Sequence, residues 1–116
     1  PDKKIVTLAG GEERQFSVLN ALRKCPADTG FVLIHDGVRP FVSKEEISKL
    51  LQIAAETKAV IPVGKMKNTI KKIANNKIVE TVLREDLANA FTPQVFRFSL
   101  ILSLHEKAAK DGLLFT

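Results

Sequence analysis

The stretch Phe31-Val-Leu-Ile-His-Asp-Gly-Val-Arg-Pro-Phe41 decides how this chain is read. Four apolar residues, Phe31 to Ile34, stop abruptly at His35, Asp36 and Gly37. A short apolar run bounded by turn residues reads as a strand buried on both faces, as in a parallel sheet covered by helices. His35 and the residues after it then lie at its carboxyl end, where the loops of open α/β sheets converge and the next helices aim their N-termini at one crevice. Asp36 and Arg39 stand on either side of Gly37 and Val38, and such a pair of opposite charges suits a metal ion beside an anion. Pro40 fixes its own φ and pushes Arg39 towards extended geometry, which holds the arginine in place.

Working towards the C-terminus, Ser43 and Glu46 have the spacing of a capping box. Ile47, Leu50, Leu51, Ala54 and Ala55 then make an apolar helical stripe that ends near Thr57. With the apolar run Ala59-Val-Ile-Pro-Val63 as the next strand, strand, helix and strand form a βαβ unit, so a parallel sheet is expected. Lys65 to Arg84 differs: Thr69 to Ile73 and Lys77 to Val82 alternate apolar and polar residues around Asn75-Asn76, the pattern of a β-hairpin whose turn takes positive φ. An isolated two-stranded ribbon is marginal in water, so this arm needs a surface to lie on. Its lysines read as a solvated edge, and no aromatic residue is interleaved to stack on bases, so no nucleic-acid partner is expected. Glu85 to Ala90 is expected to be a short helix, Thr92-Pro-Gln94 a rigid turn presenting a hydroxyl and an amide, and Phe96 to Lys110 a helix stopped by Asp111-Gly112.

Towards the N-terminus, Ile5 to Ala9 reads as a strand running into the turn Gly10 to Gln15, where two glycines permit close approach and Arg14 adds a cation. A helix over about Gln15 to Lys24 comes next, with Val18, Leu19 and Leu22 on one face and Ser17 placed either to cap it or to touch a ligand. Gly10-Gly11 lacks the spaced glycines of a dinucleotide loop and the lysine of a Walker loop. His35 suits a structural role, fixing its loop through a backbone hydrogen bond, and His105 has no acid or cysteine at ligand spacing.

The 116 residues fit one domain, and 45% apolar with 27% charged residues is ordinary for a globular chain. A net charge of +5 suits an anionic partner. No run reaches the roughly 20 apolar residues of a membrane span, so no membrane partner is expected. The lone Cys25 gives no disulfide framework, which makes a reducing cytoplasm the expected compartment. The sole methionine is Met66, and the chain closes on Leu113-Leu-Phe-Thr116, so a segment of a longer protein is expected.

Five blocks in order, Gly10-Gly-Glu-Glu-Arg-Gln-Phe-Ser-Val18, His35 to Phe41, Asn68-Thr-Ile-Lys71, Thr81-Val-Leu-Arg84 and Thr92-Pro-Gln94, resemble the methylerythritol phosphate cytidylyltransferase family. The resemblance runs along nearly all of this chain and about the middle half of the family protein. It implies a three-layer Rossmann-like nucleotidyltransferase fold, a mainly parallel sheet with a projecting β-hairpin arm over 65–84, within one incomplete domain over 1–116. It implies transfer of the cytidylyl group from CTP to a phosphorylated polyol, releasing pyrophosphate with magnesium. By position, Gly11, Glu12 and Ser17 match contacts to cytosine and ribose, Asp36 the acid near magnesium and ribose, and Gly37 the same ribose loop. Arg39, Thr69, Arg84 and Thr92 match residues around the polyol phosphate, with Arg84 and Thr69 counted among the catalytic ones. In the family the arm crosses to a second subunit, which implies a homodimer whose Thr69 and Arg84 serve the partner's site. Enzymes that make CDP-ribitol share several blocks and are the alternative, as is a non-catalytic nucleotide-binding domain; Asn68-Thr-Ile-Lys71 favours the isoprenoid enzyme. Glu12 stands where aspartate is common, and Asn68 where an acid is common. The family's N-terminal Gly-rich loop and its C-terminal acidic and lysine residues have no counterpart here, so the segment alone is expected to turn over little substrate.

Overall fold

The computed structural model describes residues 3–115, which leaves Thr116 of the closing apolar run outside the described residues. Helix α1 spans Arg14–Lys24, strand β1 Phe31–Ile34, helix α2 Lys44–Thr57, strand β2 Ala59–Val60 and strand β3 Val63–Lys65. Strands β4 (Ile70–Ala74) and β5 (Lys77–Val82) form the arm, followed by a 3-10 turn at Arg84–Asp86, β6 (Ala88–Ala90), β7 (Gln94–Arg97) and helix α3 (Phe98–Lys110).

The central sheet has the order β1-β7-β2. β1 and β2 run in the same direction, as a βαβ unit requires, but each hydrogen-bonds antiparallel to β7 between them, Leu33 opposite Val95 and Val60 opposite Val95. The direct parallel pairing expected of β1 and β2 is therefore not made, and all ladders among the described residues are antiparallel. The reason lies in residues 94–97. Read as the approach to the last helix, they are instead a strand whose Val95 is fully buried, and they take the slot between the two parallel strands.

Successive residues of β7 serve opposite faces. Val95 packs with Leu50 and Ala54 of α2, joined by Phe31, Leu51 and Val60, and this is the core on one side. Phe96, Ile34 and Gln94 line the other side together with Val18 of α1 and Ile101 and His105 of α3. The result is three layers, α2, sheet, and α1 with α3. Leu19 and Leu22 of α1 and Phe98 and Ala108 of α3 are buried in the outer layer. His105 is buried there too, its ring edge-on to Phe115 at 5.3 Å and its Nδ1 without a partner. Burial pushes its pKa below the ordinary histidine value; a backbone hydrogen bond at Gln15 works against that, and the charge of Arg14 adds to it. Gln15 clamps the segment after α3, donating from Nε2 to Leu113 O at 2.8 Å and accepting from Phe115 N at 3.0 Å.

Local rules account for most ends. Ser43 Oγ accepts from Glu46 N at 3.1 Å and caps α2, whose last turn closes on Lys58 at φ 70°. Gly112, at φ 67°, ends α3 in a Schellman arrangement, with Leu113 N donating to Ala108 O and Gly112 N to Ala109 O. Asn75 and Asn76, at φ 50° and 62°, turn the arm as their sequence requires. Three expected elements differ. The run Ala59–Val63 breaks at Pro62, which has no N–H to give a ladder, into β2 and β3. The helix expected over 85–90 is a single 3-10 turn followed by β6, because so short a helix nucleates poorly and β3 offers a ladder, Gly64 opposite Asn89. Ile5 to Ala9 is not a strand; it makes no ladder with any described residue and Ile5 is 88% exposed.

Among the described residues the arm makes its substantial contacts only within itself, β4 with β5. It lengthens the molecule, whose radius of gyration is 17.1 Å, against about 13 Å for a compact chain of this size.

Candidate active site

The loop after β1 is where the chain concentrates polar contacts. Asp36 to Arg39 is a turn closed by Arg39 N donating to Asp36 O at 3.1 Å. The Arg39 Nε donates to Asp36 Oδ2 at 3.0 Å, and Arg14 approaches Asp36 Oδ1 at 3.8 Å from the start of α1. The Arg39 hydrogen bond, aided by the charges of Arg14 and Arg39, holds the Asp36 carboxyl below the ordinary aspartate range. Asp36 is thus a fixed anion between two guanidiniums, and each arginine keeps further donors for a second anion.

A second set of bonds ties this loop to the segment before β7. Thr92 Oγ1 lies 2.9 Å from His35 Nδ1 and accepts from Asp36 N at 3.2 Å, while His35 Nε2 donates to Arg39 O at 2.6 Å. The loop-fixing backbone bond expected of His35 is therefore present. Beside it lies a cleft of about 480 Å³ lined by Arg39, Phe41, Glu46, Pro62, Phe91 and Thr92. Phe91 is placed by Gly64: a Cβ there would lie 2.6 Å from Phe91 Cε2.

The Gly-Gly turn adjoins this loop through Arg14. Ser17 is the fourth residue of α1, not its cap; the cap position is Glu13, with no side-chain bond. Ser17 Oγ instead accepts from Gly11 N at 3.0 Å and pins the turn. A Cβ on Gly11 would meet Phe16 Cβ at 2.5 Å, so the tight turn requires glycine there. Glu12 is exposed. Gly37 has open space where a Cβ would sit and no positive φ, so nothing in the fold demands glycine at that position.

The structure thus brings together Asp36, Arg39 and Thr92, with Gly37 on the turn and Gly11 and Ser17 on the neighbouring one. Thr69 and Arg84 stand apart at the base of the arm. Arg84 donates to Lys67 O at 2.8 Å, and both side chains are exposed. Sequence reasoning missed the bridge from Thr92 to His35 and Asp36, because partners 56 and 57 residues apart leave no local signature.

Comparison with known proteins identifies the family. The family described as "IspD: 2-C-methyl-D-erythritol 4-phosphate cytidylyltransferase" matches residues 1–116. The chain belongs to that family. A 2-C-methyl-D-erythritol 4-phosphate cytidylyltransferase of Halalkalibacterium halodurans is 46% identical over 98% of this chain and 49% of its own length. That of Geobacillus thermodenitrificans is 44% identical over 98% and 50%. Among solved structures, the 2-C-methyl-D-erythritol 4-phosphate cytidylyltransferase from Thermus thermophilus superposes with a TM-score of 0.84 at 30% identity, covering 100% of this chain and 59% of the other. The 4-diphosphocytidyl-2C-methyl-D-erythritol synthase from Anaerococcus prevotii gives 0.86 at 33%, over 100% and 53%. The three-layer arrangement is accordingly the cytidylyltransferase family's Rossmann-like nucleotidyltransferase fold, and the chain spans about half the length of the curated relatives it matches.

Proposed function

We propose that this chain is the central part of a CTP-dependent enzyme that transfers the cytidylyl group to 2-C-methyl-D-erythritol 4-phosphate and releases pyrophosphate, in isoprenoid precursor synthesis. The observation that carries the reading is the cluster of Asp36, Arg39 and Thr92 at the carboxyl end of β1, on a chain of this family. In-line attack of one phosphate on another asks for positioning and charge neutralisation rather than a covalent group on the protein, so arginines and backbone donors suffice. Gly11, Glu12 and Ser17 would face the cytosine and ribose, Asp36 and Gly37 the ribose, and Arg39 and Thr92 the polyol phosphate. Thr69 and Arg84 would complete that phosphate site from the arm.

Magnesium fits the donor set in one way only. The described residues hold no group of three acidic, histidine or cysteine side chains able to cage a metal. Magnesium, however, is habitually bound by one or two carboxylates with substrate phosphates and water, and Asp36 supplies one. When bound it would neutralise charge on the triphosphate. The enzyme would be a cytoplasmic homodimer. The arm exposes Ile73, Ile78, Val79 and Leu83, each more than half accessible, and its substantial contacts are only its own, so a second subunit is the surface that would cover it. Its strands are cross-linked by Lys71 to Thr81 and Lys72 to Glu80, a preformed ribbon to place Arg84 in the partner's site.

Pyrophosphate release by the complete gene product with CTP and magnesium tests this, comparing methylerythritol phosphate with ribitol phosphate. Release with the first alone is expected. Release with ribitol phosphate alone would move the enzyme to CDP-ribitol synthesis, and a folded sample silent with both would leave a nucleotide-binding domain.

A further inference from the structure

We propose that His35 is a positioning residue of the acceptor site, holding Arg39 through one ring nitrogen and orienting the Thr92 hydroxyl through the other. The partners fix one ring proton. His35 Nε2 lies 2.6 Å from the Arg39 carbonyl, which can only accept, so Nε2 carries a proton. In the neutral ring Nδ1 is then an acceptor, and Thr92 Oγ1 at 2.9 Å is placed to donate to it, with the Asp36 carboxylate the other acceptor within its reach. The same oxygen accepts the Asp36 N–H at 3.2 Å. The Thr92 hydroxyl is thus held between His35 and Asp36 at the edge of the cleft it lines.

The Arg39 main chain is braced by His35, just after β1, while its side chain bonds Asp36. Thr92, held from His35 and from the Asp36 main chain, presents its hydroxyl at a set angle beside the Arg39 guanidinium, where both can meet the acceptor's phosphate. His35 thereby sets where Arg39 and the Thr92 hydroxyl meet the acceptor, without itself touching it.

The kinetic part rests on the proposed cytidylyl transfer; the tautomer does not. Nitrogen-15 spectra of the histidine rings in the complete gene product, at a pH where His35 is neutral, are expected to show it protonated on Nε2; a ring protonated on Nδ1 would overturn the proposal whether or not the protein is active. In the pyrophosphate assay, His35→Ala is expected to raise the acceptor KM roughly tenfold, as two ordinary hydrogen bonds would, with a much smaller change in the KM for CTP. His35→Asn keeps an acceptor near Nδ1 and His35→Gln a donor near Nε2, so each is expected to recover part of the loss. An acceptor KM unchanged in His35→Ala, or Asn and Gln variants no better than Ala once corrected for folded fraction, would make the ring a packing element only. Absence of turnover in the unmutated enzyme would refute the cytidylyltransferase reading and leave the ring assignment to the spectra.

Discussion

The loop after β1 and the arm over 65–84 carry the proposed phosphate-binding residues under opposite physical regimes. Loop residues are braced across the fold: Asp36 to Arg14, His35 and Asp36 to Thr92, with α2 packed on the sheet behind them. Among the described residues the arm's substantial bracing is its own: its ladder, an Asn-Asn turn and cross-strand lysine pairs. A site residue on the loop is positioned by this chain alone. One on the arm acquires a position only when the arm finds a surface. On the proposed reading, Arg39 and Thr92 of the phosphate site are set by the fold, and Thr69 and Arg84 by assembly.

The largest expected effect separates the regimes by stability. Leu50→Ala opens the core behind the loop and should lower unfolding free energy by roughly 2–5 kcal/mol. It should leave the ribbon's own amide exchange in the folded state unaltered; equal loss of protection in arm and loop would break the distinction. Next, Arg39→Ala and Arg84→Ala in the complete enzyme should each weaken acceptor use by roughly 10- to 100-fold, the worth of a charged hydrogen bond. Co-folded, the two variants should recover about a quarter of the unmutated activity, since half of the dimers would hold one intact site if the arm crosses between subunits. No recovery would place Arg84 in its own subunit's site. Asn76→Val in the arm should cost about 1–2 kcal/mol of local ribbon stability through its left-handed backbone, read as faster amide exchange in 70–82 with the melting of the core unchanged. Gly37→Ala should change stability by no more than about 0.5 kcal/mol, since open space surrounds that position, yet weaken CTP binding in a titration; unaltered binding would remove Gly37 from the nucleotide site.

Acid provides the mildest probe. Both Asp36 and His105 have lowered pKa values in the fold, so the unfolded chain takes up each proton first and acid favours unfolding. The His105 contribution is complete above the ordinary histidine pKa and declines as pH falls below it. That of Asp36 persists until the pH falls through the aspartate range. His105→Phe should flatten the first decline in a series of thermal melts while leaving the second, and an unchanged profile would show that His105 keeps an ordinary pKa.

Much of this was written in local sequence. The Asn75-Asn76 turn, the Ser43 cap, the stripe of α2 and the abrupt end of β1 at His35 each arise from a few adjacent residues whose backbone preferences or spacing admit one solution. The five motifs were likewise legible as blocks. What local sequence could not contain was adjacency. That residues 94–97 enter the sheet rather than begin a helix depends on the slot between β1 and β2, and that 88–90 form a strand depends on β3 lying alongside. Thr92 meets His35 only because β7 pairs with β1, Ile34 opposite Gln94, which carries the preceding turn to the end of the neighbouring strand. Sequence by itself determined which segments turn, cap and coil, because those energies are local. Tertiary structure alone decided which strands pair and which side chains share a proton, because such choices are settled by the best burial of Val95, Leu50 and Ala54 together.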